Sequence, residues 1–590
     1  MNQTSSNIKL LSRTMFRLLP VQILMSVVGA VNGFVSSYFA SNYVSVKAVG
    51  AVGIYGPLSL LVGAISTMLV GGAVVMCGKY IGENRQERSQ NVFALSLLLS
   101  SMVAVLFTVL FVVFGLFDLT GFLTRDAELR PLFNRYLLGQ SVGVFPSMIG
   151  NLLFAFLSLE NKTRRGIVAS VAYAVSNIVL TYLFVCMFRM GEFGLALASS
   201  LGMWAYCGVE ASYFLSKKSH FKVSLEGLDW KESAGILRIG FPGAATNAYQ
   251  TVRGFIVNAL ILTFVGSAGI AAFAASDNLM RMFWSIPAGM MAVSRMMMSV
   301  SVGEEDRESL KDAMRVMFRR FLPLMCGVAA FLIVFAVPLT RIYYKDASDP
   351  VYMMTVWALR IIPFCMPLSV ICMHFICYGQ TIGKNGLVHV LSVVDGVLSV
   401  AGFTALLIRS MGMNSVYVAN VLNGISTTLV VVIYSILKKK RFPRNMDDLM
   451  VIPDGFGVPE SERMDLSVHE IREVVEISRR VQDFCLEKGI DRRRAYLAGL
   501  SMEEMAGNVV DHGFAKDRKK HTIDIRVVHK DETVILRIKD DCVPFDPGER
   551  IRIANSEDPA ANIGIKMVFK IAESVQYQNI LGMNVVTIKI

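Results

Sequence analysis

Glu504 and Asn508 stand four residues apart in LAGLSMEEMAGNVVDHGF, a stretch with helical periodicity, so the two side chains share one helix face. An amide oxygen beside a carboxylate suits an Mg2+ ion that keeps several waters and bridges nucleotide phosphates. Glu504 on the same face can serve as the base that activates a hydroxyl or water, and Gly513 is placed to stop the helix. Two strands are predicted next, HTIDIRVVHK and TVILRIKDD, and the second runs into DDCVPFDP. Asp540 at that strand end can accept a hydrogen bond from an exocyclic amine such as that of adenine. In NIGIKMVFKIAESVQYQNILGMNVVTIKI, Gly564 opens a helix and two strands close the chain. A helix start offers free N–H groups and a positive dipole end to phosphate, and Lys566 reinforces it. The three signals together suit a nucleotide with Mg2+.

A second set of candidates interrupts long apolar runs: Arg253, Asp277, Arg281, His374, His389 and Asp395. A charge at a bilayer centre costs at least about 2.5 to 3.5 kcal/mol, which makes each a functional candidate by default. Asp277 and Arg281 are one turn apart, so they form either a self-neutralising pair or a working site. Asp395 has no acid or base nearby in sequence and is the preferred proton or cation site. His374 is either a satisfied core histidine or a coupling group. Met290, Met291, Met296, Met297, Met298 and Phe283 either pack the interior or line a cavity that adapts to varied apolar cations.

The elements that must position these residues follow from composition. With 54% hydrophobic and only 18% charged residues over 590, most of the chain sits in lipid. Spans of about the 20 residues needed to cross hydrocarbon are expected near 14–39, 50–77, 92–116, 137–157, 166–187 and 194–215, then near 240–263, 269–295, 321–338, 352–378, 387–408 and 416–437. The polar, basic first residues run straight into the first span, so no cleavable leader is expected. The nine cysteines form no CxxC pair or ligand cluster and read as small core hydrophobes. The net charge is +12, but the positive residues sit in loops between spans rather than on one soluble face, which speaks for topology and against nucleic acid. With the N-terminus inside, the inner loops hold 25 Lys and Arg against 8 in the outer ones, so both termini are expected in the cytoplasm. Lys438, Lys439, Lys440 and Arg441 then meet anionic lipid headgroups.

An internal repeat is visible. Gly82-Glu83 in GENRQERS recurs as Gly303-Glu304 in GEEDRES, and Pro20 recurs as Pro242. Two units of six spans each enter from the same side, which predicts two lobes about an axis along the membrane normal with a cavity between them. After residue 440 the composition changes. Residues 441–459 read as a linker and 460–590 as one charged globular domain.

Residues 10–440, two six-span lobes (about 10–216 and 232–437) with a Pro-bearing first span, a Gly-rich second span and a GENRQERS-type turn, resemble the multidrug and toxic compound extrusion (MATE) family. The resemblance implies an all-α polytopic bundle of about twelve spans in a bacterial plasma membrane. It also implies antiport, in which H+ or Na+ drives export of small organic, often cationic, compounds. Many relatives carry an acid in the first span where this chain has Asn32, which corresponds by the repeat to Arg253; Asn32 cannot titrate, so coupling is expected to rest on the second lobe.

Residues 460–590 resemble the GHKL ATP-binding fold, an α/β two-layer sandwich, and within it the anti-sigma serine kinase branch. The resemblance makes Glu504 the catalytic base, Asn508 the Mg2+ ligand, Asp540 the adenine-binding aspartate and Gly564 part of the second glycine box; His512-Gly513 and Phe545 to Pro547 also fit. It implies a soluble phospho-acceptor or sigma-regulatory protein as a partner. The chain departs from the pattern at Cys542, Pro544 and Asn562, where glycines are usual, and Pro544 cannot donate a hydrogen bond. Two further functions stay open: a membrane-anchored serine kinase that uses the lobes as sensor, and a flippase for lipid-linked precursors. An ATP-driven pump is disfavoured, because the chain has no GxxxxGK[ST] loop.

Overall fold

The computed structural model describes residues 4–39, 43–44, 46–122, 128–216, 219–222, 228–341, 346–348, 350–514, 521–530, 532–551 and 563–590. The first lobe comprises α1 (Thr4–Phe39), α2 (Val46–Gly82), α3 (Gln86–Leu116), α4 (Leu129–Leu159), α5 (Thr163–Thr181) and α6 (Gly191–Phe214). The second opens with α7 (Lys231–Phe264) and α8 (Ser267–Gly303). Three of its remaining spans are broken rods, α9 (Arg307–Val316) with α10 (Leu322–Val334), α12 (Pro350–Ile361) with α13 (Cys365–Ile382) and α14 (Asn385–Val393) with α15 (Ser399–Met411); a short α11 (Ala336–Arg341) follows α10, and α16 (Asn414–Lys439) is continuous. Among the described residues, eight of these rods are long and apolar enough to cross a membrane. The long helices α1, α6, α7 and α8 bring the set to the expected twelve.

The lobes meet along α1, α2, α7 and α8, and glycine sets how closely. A Cβ on Gly72 would overlap the carbonyl of Ile236, one on Gly240 that of Met68, and one on Gly303 that of Lys79. Small residues let helix backbones approach where lipid supplies no hydrophobic drive between helices. The methionine stripe of α8 belongs to this interior. Met290, Met296, Met297 and Met298 are at most 4% exposed within the hydrophobic core, so its role is packing.

The segment expected to be a plain linker is strapped to the bundle. It contains α17 (Met446–Met450), and Asp447 pairs with Arg307 at 2.7 Å. Arg307 also donates to the carbonyls of Pro453 (2.8 Å) and Phe456 (3.1 Å), while Lys384 donates to those of Met450 (3.0 Å) and Val451. Pro, Gly and charge without periodicity concealed this, because each contact depends on a partner distant in sequence.

Beyond the strap, strands β1 (Arg463–Val468), β2 (Ile523–Lys530), β3 (Thr533–Asp540), β4 (Ser574–Ile580) and β5 (Met583–Lys589) form one antiparallel sheet in the order β1-β2-β3-β5-β4. Helices α18 (Ile471–Glu487), α19 (Arg492–Asn508) and α20 (Ile563–Ile571) share its core. Alternation along β3 is strict: Val534, Leu536, Ile538 and Asp540 are buried, and the residues between them are half-buried. A strand's period of two therefore gives the sheet two chemically distinct faces.

Candidate functional site

The helical face of the sheet holds a slot lined by Asn508, Ile538, Asp540, Cys542, Phe545, Tyr577 and Asn584, among others. Asp540, 2% exposed, accepts from the Asn584 amide at 2.7 Å and from the Cys542 N–H at 2.9 Å. Asn584 lies opposite it in the register of β3 and β5. A carboxylate has about four acceptor sites, so Asp540 retains capacity for a ligand amine. Burial pushes its carboxyl above the ordinary range, with the Asn584 and Cys542 contacts opposing that rise.

Asn508 ends α19, and its amide nitrogen is engaged by the Glu504 carbonyl at 2.5 Å, which leaves the amide oxygen to meet a cation. Gly564 lies so close to the Glu504 carboxylate that any Cβ would overlap it. The structure thus joins the start of α20 to the Glu504 face of α19, and Lys566 follows within the first turn of α20. Gly513 does not stop α19 directly. It closes a π turn, Val509–Gly513, and a Cβ there would sit 3.0 Å from the Cys542 sulfur. The side chain of His512, and Asn562, lie outside the described residues.

These donors fit ATP and Mg2+ in kind: an acceptor for an amine, an amide oxygen for a cation, and a helix start beside a carboxylate. The slot itself measures about 30 Å3, room for a water or two. Tyr577 lines it, its hydroxyl donating to Asn584 Oδ1 at 2.8 Å and accepting from Phe545 N–H at 3.2 Å. A purine requires Tyr577 or Phe545 to yield.

Within the bundle, Asp395 lies in a π turn, Val394–Leu398, a widened turn often found at working positions. Its carboxylate accepts from Asn423 on α16 at 2.8 Å, and its backbone carbonyl accepts from Arg253 on α7 at 3.2 Å. Isolated in sequence, Asp395 is therefore beside a cation in space. Asp277 and Arg281 close on one another at 2.7 Å and are 45% and 66% exposed, a local pair that stands apart from this cluster. His374 is fully buried, with Nδ1 2.7 Å from the Val370 carbonyl and Nε2 2.7 Å from Ser294 Oγ; both ring nitrogens are satisfied. Asn32 lies in α1, and its side chain is outside the described residues.

Two ionisable groups escaped the sequence search although both interrupt apolar runs. Glu210 in α6 is fully buried beside Tyr206 of the same helix. Arg295 in α8 has a buried Nε without a partner and approaches Gly71 of α2. The criterion that found Asp395 applies equally to them.

The opposite face of the sheet meets the bundle. Lys539 pairs with Glu304 at 2.5 Å, Arg526 with Asp306 at 2.6 Å, Lys530 with Glu305 at 2.8 Å and Arg463 with Glu308 at 3.3 Å. Asp306 also caps α9 by accepting from Ser309 N–H at 2.8 Å. Burial opposes ionisation of Asp306, but Arg526 and Lys539 outweigh it and hold the carboxyl well below the usual range. On the other lobe, Gln578 donates to Asn84 at 2.7 Å and Arg13 pairs with Asp541 at 3.4 Å. Behind these contacts a cavity of about 970 Å3 lies at the seam, lined by Met76, Lys79, Arg238, Gln380, Phe456 and His529, among others.

Comparison with known proteins accords with both halves. The MatE family profile matches residues 22–183 and again 242–403, and the histidine kinase-like ATPase domain profile matches 468–590. Over 203 residues the chain is 26% identical to the probable multidrug resistance protein NorM of Bacillus subtilis (strain 168), covering 33% of this chain and 44% of that one. Over 151 residues it is 29% identical to the protein of the same description from Xanthomonas axonopodis pv. citri, covering 25% and 32%. The matches thus span less than half the length of these relatives. A crystal structure of MATE in complex with MaL6 aligns with a TM-score of 0.68 at 20% identity over 77% of this chain and 100% of that one. A MOP superfamily transporter from Pyrococcus furiosus Vc1 (DSM3638) aligns with a TM-score of 0.66 at 20% identity over 74% and 99%. At such identity the likeness is one of fold.

Proposed function

Because the chain belongs to the MatE family and carries a histidine kinase-like ATPase domain, we propose that it is a cation-coupled antiporter. It exports small organic, often cationic, compounds, and its ATP-binding domain regulates that export. The observation that carries the coupling is Asp395: an acid in a π turn inside the bundle, held by Asn423 and flanked by Arg253. A carboxylate in that setting binds H+ or Na+ in exchange for its present contacts. Asp277, Arg281 and His374 are secondary, since each is already satisfied by a neighbour.

In the domain, Asp540 takes the adenine amine, Asn508 the Mg2+, and Gly564 with Lys566 the phosphates, while Glu504 stands where a base for phosphoryl transfer belongs. Bound Mg2+ would supply charge neutralisation at the phosphates. The domain-bearing end is the cytoplasmic one, supported by the excess of Lys and Arg in its loops. Its family and its membrane-length helices support a site in a bacterial plasma membrane.

The test uses membrane vesicles loaded with an organic cation and given a pH or Na+ gradient. Wild type exports the cation and Asp395→Asn does not; equal flux in both removes the coupling assignment. Nucleotide binding is read separately by calorimetry on the full chain, with and without Mg2+.

A further inference from the structure

We infer that the ATPase domain is a clasp that bridges both lobes and holds the domain-bearing end of the bundle shut. Resting on the regulatory function proposed above, it gives that regulation a physical form. Three independent observations converge on it.

The first is which turns are gripped. The domain holds the two repeat-related turns, one from each lobe: Asn84 of GENRQERS through Gln578, and Glu304, Glu305 and Asp306 of GEEDRES through Lys539, Lys530 and Arg526. Opening this end requires the two turns to separate, and one rigid sheet spans them.

The second is the tip of the β4–β5 hairpin. Leu581 and Gly582 both have positive φ, +55° and +84°, the geometry of a tight hairpin turn in which Asn or Gly is usual. A leucine there is strained. It is nevertheless fully buried, joins the hydrophobic core of the bundle, and donates its N–H to the Leu159 carbonyl at 3.0 Å. A strained apolar tip makes sense as an anchor in the first lobe, because burial there offsets the strain.

The third is the path from nucleotide to clasp. Ile538 and Asp540 line the slot, while Arg537 and Lys539, on the other face of the same strand, reach Glu304. Asp541, next to the adenine candidate, holds Arg13 of α1. Movement of Tyr577 or Phe545 to admit a purine acts on this strand and its neighbour β5, since Tyr577 bonds to Asn584, the register partner of Asp540.

The clasp also caps the seam cavity, whose lining combines Met76 and Lys79 of the first lobe, Arg238 and Gln380 of the second, Phe456 of the strap and His529 of β2. A compound that enters between the lobes from this end must wait for the domain to lift.

Two measurements on the full chain in proteoliposomes decide the matter. In Met76→Cys, labelling of the new thiol by a membrane-impermeant maleimide is compared with and without Leu581→Asn, which tolerates the same backbone but removes the anchor. Labelling at least about tenfold faster with Leu581→Asn is expected; an unchanged rate overturns the clasp. In Asn84→Cys with Gln578→Cys, oxidation should stop ethidium export and a reductant should restore it. Export that continues at full rate while the disulfide is formed also overturns the clasp. Absence of gradient-driven export in every variant, including wild type, defeats the antiporter function alone, since the labelling comparison still judges the clasp.

Discussion

Gly82 and Gly303, the repeat-related glycines that end α2 and α8, meet across the seam between the lobes: a Cβ on Gly82 would lie 2.9 Å from the Gly303 carbonyl carbon. A residue and its repeat mate touch only close to the axis that exchanges the two halves. The pair therefore marks that axis at the end where the ATPase domain sits, and the domain grips a residue within two positions after each glycine, Asn84 and Glu304.

Gly303→Ala tests how tightly this seam is closed. Its Cβ would overlap the Lys79 carbonyl, a backbone atom that no rotamer change can move. Overpacking of this kind costs about 1 to 3 kcal/mol, and separating the lobes relieves it. The variant should melt earlier in detergent and should label faster at Met76→Cys from the domain-bearing end; wild-type behaviour in both would show that the seam is slack.

Asp540→Asn should weaken ATP binding about 10- to 100-fold, the loss of a charge-assisted hydrogen bond of about 1.5 to 3 kcal/mol. The pH dependence has a definite sign. Burial raises the Asp540 carboxyl, and once protonated it no longer offers a carboxylate to the adenine amine. Affinity should thus fall at a higher pH than an ordinary aspartate, near 3.9, would dictate. Because the folded domain holds this proton more tightly than the unfolded chain does, this group's contribution to stability falls as pH rises from the ordinary value to the raised one. Calorimetry of the full chain across that window checks the affinity, and a flat profile counts against Asp540 as the amine acceptor.

Glu504→Ala separates binding from chemistry. The carboxylate abuts Gly564, so its removal should leave ATP affinity within a few-fold while abolishing any transfer of the γ-phosphate to water or to a serine protein. Radiolabelled ATP read for both products is the measurement. Gly564→Ala, which drives a methyl into the same carboxylate, should impair both steps.

Lys384 sets the pH response of the strap. Burial, with Lys439 and Lys438 nearby, lowers its pKa from the ordinary lysine range to about 8, while its ammonium donates to Met450 and Val451 and lies 5.4 and 5.5 Å from the rings of Tyr378 and Tyr434. Between about 8 and 10.5 the unfolded chain binds the proton that the folded chain has lost, so stability rises with pH across that window. Lys384→Gln should remove the rise and cost about 1 to 3 kcal/mol through the poorly replaced carbonyl contacts. Thermal melts of the full chain between pH 7 and 10.5 read both effects.

Sequence alone determined what depends on neighbours along the chain. Apolar runs of span length, the paired GENRQERS and GEEDRES turns, the i, i+4 placement of Glu504 and Asn508, and the order of those two with Asp540 and Gly564 are all matters of composition, spacing or order along the chain, and the forces that select helix and strand act between near neighbours. Tertiary structure decided the partners. Arg253 lies 142 residues from Asp395, and Lys539 lies 235 from Glu304; nothing local to either charge says which distant group it meets. Asp395 looked isolated and the 441–459 segment looked loose, because a charge or a segment acquires its role from whatever folding sets against it.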